Sequence, residues 1–139
     1  MKSTKNLFLF IAVMMALSTT SAQSIIDANG DTIATINAMG VILDSENLPY
    51  GEINSTGDVK NAIGETIGHI DGNTFKDLVG TTKGRIDASG NIYDLNDAQI
   101  GLIQFDLMVI DANNHLIGRS SAPMDAKKLA AFFFFYFNN

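Results

Sequence analysis

Apolar and polar positions repeat along the chain with a period of about seventeen residues. The tripeptide Gly-x-Ile begins at Gly51, Gly68, Gly84 and Gly101, with Ala34-Thr35-Ile36 before this set and Gly118-Arg119-Ser120 after it. Two further sets of equivalent positions, which we call columns, recur with the same spacing. Several columns that share one spacing are evidence for an internal repeat. The polar column is Asp27, Asp44, Asn61, Asp77, Asp94 and Asp111, and the apolar column is Ile42, Val59, Phe75, Ile92 and Val109.

Each repeat predicts two short strands and two turns. Turns such as Asp27-Ala28-Asn29-Gly30 and Asn37-Ala38-Met39-Gly40 begin with a side chain that can bond its own backbone and end with Gly, which tolerates positive φ. Residues 24–124 show no helical periodicity over ten or more residues. Seventeen residues are too few for a propeller blade, which takes about 40–45. The repeat unit is therefore predicted to be a β-hairpin.

Successive hairpins can bury a shared core as a stacked solenoid or as a closed ring, and closure removes the exposed strand edges. A partial sixth unit begins at Asp111 and would complete a ring by pairing with Ser24-Ile25-Ile26. We therefore expect an all-β domain of about five repeated hairpins in a closed or nearly closed ring.

The carboxyl-terminal run differs from the repeats. Asp125 is a candidate N-cap, and residues 126–137 follow without Gly or Pro. In a helix, the six aromatic residues at the end of this run are apolar around the whole circumference and must be buried, which suits a plug for the ring. The alternatives are a final β-strand, because Phe and Tyr favour strands, and a membrane-interface segment. The six consecutive aromatic residues are Phe132, Phe133, Phe134, Phe135, Tyr136 and Phe137.

The amino-terminal segment has the layout of a secretory signal. Lys2 and Lys5 precede an apolar run over 7–17, which is shorter than the roughly 20 residues that span a bilayer. Small residues follow up to Ala22, where we expect cleavage. The alternative is an uncleaved anchor. The predicted organisation is a signal peptide at 1–22, a repeat domain at 23–124 and a helix or tail at 125–139 packed on that domain, with no transmembrane span in the mature chain.

The composition and charge of the chain exclude several classes of function. The chain has no Cys, which excludes disulfides, thiolate catalysis and Cys-based zinc sites. Its net charge of −6 argues against nucleic-acid binding. A secreted chain without disulfides fits the periplasm or cell surface of a Gram-negative bacterium.

The signal segment, the repeated Gly-x-Ile-Asp/Asn-x-x-Gly-x-Ile/Val unit and the tail from Ala130-Ala131-Phe132 resemble the five-fold beta-flower proteins, small secreted proteins of Bacteroidetes. The resemblance covers about residues 24–137. It implies five petals of β-hairpins with a carboxyl-terminal segment packed against them, and it implies no activity or catalytic residue. Two departures affect the last petal: Gln104-Phe105-Asp106-Leu107 replaces the usual turn, and Ser120 replaces the last Ile.

The candidate chemistry lies in the polar column. Asp27, Asn29 and Asp31 offer oxygens at the spacing of a calcium loop but lack its later bidentate Glu. Closure of the ring would bring the repeated carboxylates onto one rim. The alternative is that each Asp caps its own turn. His69 and His115 fall in variable columns and are expected at the surface. The other rim candidates are Asp44, Asp77, Asp94 and Asp111.

No catalytic sequence motif occurs. We therefore expect a secreted, non-enzymatic module that binds a protein or glycan through its turns, without a cofactor unless calcium binds. The first alternative is a structural subunit that self-associates through the six aromatic residues. The second is a small hydrolase that uses rim carboxylates.

Overall fold

A computed structural model describes residues 22–105 and 107–137. Twelve antiparallel strands form a closed barrel in which each strand pairs with its neighbours in sequence and the last pairs with the first. Residues 1–21 of the predicted signal peptide lie outside the described residues. Within them, no helix is long and apolar enough to cross a membrane. The strands are β1 Gln23–Asp27, β2 Thr32–Ile36, β3 Val41–Asp44, β4 Pro49–Ile53, β5 Asp58–Asn61, β6 Thr66–Asp71, β7 Thr74–Asp77, β8 Thr82–Ile86, β9 Asn91–Asp94, β10 Gln99–Gln104, β11 Met108–Asp111 and β12 Leu116–Ser120.

The ring closes between β1 and β12, where Ile25 pairs with Ser120 and Ile26 with Arg119. The amide of Ser121 continues this pairing by donating to the carbonyl of Ser24 at 2.9 Å. The predicted all-β closed ring is confirmed. The unit that looked partial in sequence supplies a complete strand pair, so the barrel has six pairs rather than about five.

The two ends of the barrel differ. Turns that follow odd-numbered strands all lie at one end, which we call the acidic face: 28–31, 45–48, 62–65, 78–81, 95–98 and 112–115. Turns that follow even-numbered strands lie at the opposite end. The chain leaves β12 at that opposite end and enters helix α1, Ala126–Ala130, which continues as a π-helical segment, Ala131–Tyr136. We call this opposite end the helix end.

Every strand pair that turns at the acidic face contains a register shift of one residue. Between β3 and β4, for example, Ile42 pairs with Gly51 and Leu43 with Pro49, which leaves Tyr50 without a partner. A β-bulge of this kind bends the strand and re-aims the extra side chain. The six unpaired residues form what we call the bulge ring: Ile33, Tyr50, Ile67, Lys83, Ile100 and Ile117.

The bulge ring surrounds the aromatic segment. Its four isoleucines are half-buried and pack against the core. The ring of Tyr50 lies 5.4 Å from that of Phe137, and the Lys83 ammonium lies 4.9 Å from the ring of Tyr136. One bulge per repeat therefore turns one side chain per repeat towards the axis of the barrel.

The barrel interior is filled by wall residues and by the helix. Buried wall residues include the whole predicted apolar column together with Ile36, Ile53, Ile86 and Ile103. Leu129, Ala130 and Ala131 are fully buried among them. The carboxyl-terminal run is thus a helix inside the ring, and the alternative of a final strand is wrong. A strand there would leave its edge without a partner, because closure already pairs every wall strand.

Five of the aromatic residues match the five repeated glycines one to one. Each ring lies so close to its glycine that a Cβ there would overlap it. At Gly101, a Cβ would strike Phe134 and would also come within 2.7 Å of the carbonyl oxygen of Ile110. The Gly column is therefore required for room at the helix surface. The pairs are Phe133 on Gly118, Phe134 on Gly101, Phe135 on Gly84, Tyr136 on Gly68 and Phe137 on Gly51.

The π-helical form of the segment suits this matching. Successive α-helical side chains advance by about 100° around the axis. Bonding from i to i+5 puts more residues in each turn and makes that advance smaller. Six strand pairs share the barrel circumference, so neighbouring glycines are separated by a smaller angle than the α-helical step. The wider helix brings consecutive aromatic side chains closer to the spacing of consecutive strand pairs.

Candidate functional site at the acidic face

The polar column forms the turns of the acidic face. In each turn, one side-chain oxygen accepts hydrogen bonds from the amides two and four residues later. Oδ1 of Asp77, for example, accepts from Val79 at 3.0 Å and from Thr81 at 2.9 Å. Asn61 makes the same two bonds through its amide oxygen. The same pair of bonds is made by Asp27, Asp44, Asp94 and Asp111.

The weak calcium candidates do not converge on a common centre. Oδ1 of Asp27 is occupied by the amides of Asn29 at 2.9 Å and Asp31 at 3.0 Å. Across residues 22–105 and 107–137, no group of three or more His, Asp or Glu side chains is placed to hold a metal ion. The geometry at Asp27 is that of a capped turn.

The four rim candidates Asp44, Asp77, Asp94 and Asp111 do lie at one end of the barrel, each at the last position of an odd-numbered strand. Each of them accepts the same pair of hydrogen bonds from the amides of its own turn. The pKa of Asp111 is lowered, chiefly because the backbone amide of His115 donates to it. A carboxylate pair for hydrolysis needs one acid held protonated and one ionised. Equivalent turn-forming carboxylates do not provide that difference.

The two histidines lie at the surface, as expected. His69 is on β6, with Nδ1 2.7 Å from Oδ1 of Asp58, and this hydrogen bond lowers the pKa of Asp58. His115 lies in the last turn of the acidic face, with Nδ1 3.5 Å from Oδ2 of Asp111. The two are on different parts of the barrel, so they do not form a pair.

The acidic face carries exposed apolar side chains that the sequence analysis did not single out. They lie on the four neighbouring turns from β3–β4 to β9–β10, and Val79 is 85 % exposed. The other two turns carry only small or polar residues at 28–31 and 112–115. Alignment of the turns would have revealed them, since apolar residues replace polar ones there. We call this set the apolar arc: Leu48, Ile63, Leu78, Val79 and Leu95.

Negative charge surrounds the apolar arc. Nine of the fifteen Asp and Glu residues lie at the acidic face. One of them, Asp97, is paired with Arg85 at 2.8 Å, and Lys83 lies nearby in the bulge ring. The remaining charges leave the face strongly acidic. The nine are Asp27, Asp31, Asp44, Glu46, Glu65, Asp77, Asp94, Asp97 and Asp111.

An apolar cavity of about 400 Å³ opens at the same end of the barrel, lined by Ile33, Tyr50, Ile117, Phe132, Phe133 and Phe137. The Tyr50 hydroxyl donates to the carbonyl of Phe137 at 3.1 Å, so the main polar group of the lining is already bonded. In the opposite sector, the Tyr136 hydroxyl donates to the carbonyl of Lys76 at 2.7 Å, and burial raises the pKa of Tyr136 to about 12.

A second, more polar groove of about 490 Å³ lies at the helix end, between the turn at 54–57 and the start of α1. Asp125, Lys127 and Lys128 border it. Oδ1 of Asp125 accepts from the amide of Lys127 at 2.9 Å, which is the predicted N-cap.

Comparison with known proteins places the chain in one family. No curated protein and no solved structure matches it. A family model described as 5-fold beta-flower protein matches residues 22–138, which covers all twelve strands and the aromatic helix. Five glycine–aromatic contacts around one ring are consistent with that description. The chain therefore belongs to the family of 5-fold beta-flower proteins.

Proposed function

We propose that the protein is a secreted, non-enzymatic binding module of the periplasm or cell surface and that its acidic face binds a protein partner. The observation that carries the proposal is the apolar arc. Contiguous exposed apolar side chains are uncommon on monomers and mark interaction sites. Here five of them stand on four adjacent turns of one end of the barrel.

The chemistry of the face favours a protein that presents basic and apolar residues. Carboxylates around the apolar arc attract positive charge and speed encounter, while the apolar side chains supply buried area. A glycan presents mainly hydroxyl groups, which do not match the exposed apolar side chains of the apolar arc. A protein is therefore the favoured ligand, and a glycan is the other outcome of the test.

The face is also rigid. Each turn is held by two side-chain bonds and by an adjacent strand pair, and the bulge ring packs on the aromatic helix beneath it. A surface that is ordered before binding loses little conformational entropy when the partner docks. This is the property expected of a module that works by its shape.

Site-specific photo-crosslinking in the native host tests the proposal. A photoreactive residue at Val79 should give a discrete adduct with a protein, while the same residue at Ser89, in an exposed turn of the helix end, should not. Glu65→Gln should weaken the Val79 adduct, and added salt should do the same. Equal adducts from both positions, or an adduct with polysaccharide alone, would contradict a protein-binding acidic face.

Self-association is the alternative for an assembly subunit. The aromatic residues proposed for it are largely enclosed, with Phe132, Phe133 and Phe135 less than a tenth exposed. They would have to leave the barrel to meet a second copy. Contact between two acidic faces would bring like charges together. Sedimentation of the purified protein distinguishes the two: a stable oligomer at micromolar concentration would favour the assembly role.

A further inference from the structure

We propose that the apolar cavity at the acidic face is a binding site for a small aromatic molecule that is uncharged or positively charged. The cavity lies where strand pairs β11–β12, β1–β2 and β3–β4 meet the aromatic helix. It is separate from the apolar arc, most of which lies on the other side of the ring.

The cavity occupies the sector whose strand pair, β1–β2, lacks the repeated glycine. Five strand pairs carry a glycine covered by an aromatic ring of the helix. The pair β1–β2 carries Ala34 at the corresponding position. The cavity is bordered by the bulge residue of that pair, Ile33, and by the bulge residues on either side of it, Ile117 and Tyr50. The aromatic packing that fills the other sectors is therefore incomplete here.

The walls suit a flat apolar ligand. The ring centroids of Phe132 and Phe137 lie 5.8 Å apart with 28° between the ring planes, and the Tyr50 ring lies 5.4 Å from that of Phe137. A volume of about 400 Å³ falls within the usual range of small-molecule sites, which begins near 300 Å³. Since the Tyr50 hydroxyl already donates to Phe137, the lining offers stacking and apolar contact rather than an unpaired polar group.

Charge around the mouth selects among aromatic ligands. The three turns beside the cavity begin with Asp27, Asp44 and Asp111, and they also carry Asp31 and Glu46. No Lys or Arg lines the cavity. An anionic ligand would be repelled, whereas a cation would be attracted by the carboxylates and by the faces of the rings.

A matched series of probes tests the site in the native protein. Benzyl alcohol, benzylammonium and benzoate share one ring and differ in charge. Isoleucine methyl NMR should show shifts of Ile33 and Ile117 with the first two probes and little change with benzoate. Ile67 and Ile100 occupy the same bulge position in filled sectors and should not shift. Equal shifts at all four residues, or equal binding of benzoate, would overturn the proposal.

A pair of matched variants adds a second measurement. Ile117→Phe places a ring in the cavity and should weaken binding of benzylammonium by about tenfold or more. Ile100→Phe makes the same change beside Gly101, which the ring of Phe134 covers, and should leave binding unaltered. Undiminished binding by Ile117→Phe would place the probe elsewhere. If a variant does not fold, the isoleucine methyl shifts of the native protein with the three probes test the proposal on their own.

Discussion

At the scale of single residues, the two most regular columns of the repeat have separate structural tasks. The Asp or Asn at the end of each odd-numbered strand closes a turn with two hydrogen bonds, and Asn61 does so as well as any Asp. The repeated Gly on the even-numbered strands from β4 to β12 leaves room for an aromatic ring of the helix. The regularity of both columns therefore follows from the fold, and the residues that vary between repeats are the ones available for binding.

Asp111 offers a test of the turn function. Asp111→Ala should lower the midpoint of thermal unfolding by a few degrees at neutral pH, because two turn amides lose their acceptor. Asp111→Asn keeps an accepting oxygen, as at Asn61, and should change the midpoint much less. An equal loss in both variants would show that the charge, rather than the turn bonds, matters.

The same pair of proteins predicts a pH dependence. The pKa of folded Asp111 lies below its ordinary value of 3.8. Its ionised form therefore stabilises the folded protein above that pH, and the contribution is lost as the pH falls through the lowered pKa. The Asn side chain of Asp111→Asn does not titrate, so the thermal midpoint of that variant should fall less steeply as the pH is lowered through 3.8 and below.

At the scale of elements, the aromatic side chains of the helix match the glycines of the barrel wall one to one. Five consecutive aromatic side chains meet five successive strand pairs in reverse order of sequence. Substitution of one glycine should therefore displace the aromatic ring that covers it and leave the neighbouring rings in place.

Gly101→Ala tests this matching. The added Cβ would strike Phe134 and approach the carbonyl of Ile110, and overpacking of this kind typically costs about 1–3 kcal/mol. Phe134→Leu should recover part of the free energy of unfolding lost in Gly101→Ala. It should recover none of the loss in Gly84→Ala, whose Cβ would strike Phe135. Chemical denaturation of the single and double variants measures both, and equal recovery would contradict one-to-one matching.

The hairpins and the closed ring could be predicted from the sequence, because two columns with the same spacing determine strand length and turn position. The bulge ring was not predicted. The residue before each of the five glycines, or before Ala34 in the first repeat, is Ile at four positions, Tyr at 50 and Lys at 83. This set of positions therefore looks variable, although all six residues face the aromatic helix. The apolar arc was not predicted either, because positions such as Ile63 and Val79 fall outside the repeated Gly, Asp/Asn and apolar positions.

At the scale of the whole molecule, the helix at residues 126–136 fills the interior of the barrel. Leu129 to Phe133 supply much of the buried centre, and the wall alone would enclose a space lined by isoleucine, valine and phenylalanine. A chain that ends at residue 124 should therefore fail to unfold cooperatively on heating. A peptide covering 125–139, added in excess, should restore the transition. A shortened chain with the midpoint of the full protein would show that the helix is not core.

The order of these parts along the chain has a consequence for when folding can occur. The free edge of strand β1 is paired only after β12 has been synthesised. The interior of the wall is filled only after residues 129–137 have been synthesised. Early hairpins gain little by forming alone. Commitment to the native state therefore waits until residues 129–137 have been synthesised. Before that point the strands have neither a closed ring nor a filled interior, so stable structure should appear in one late step rather than hairpin by hairpin.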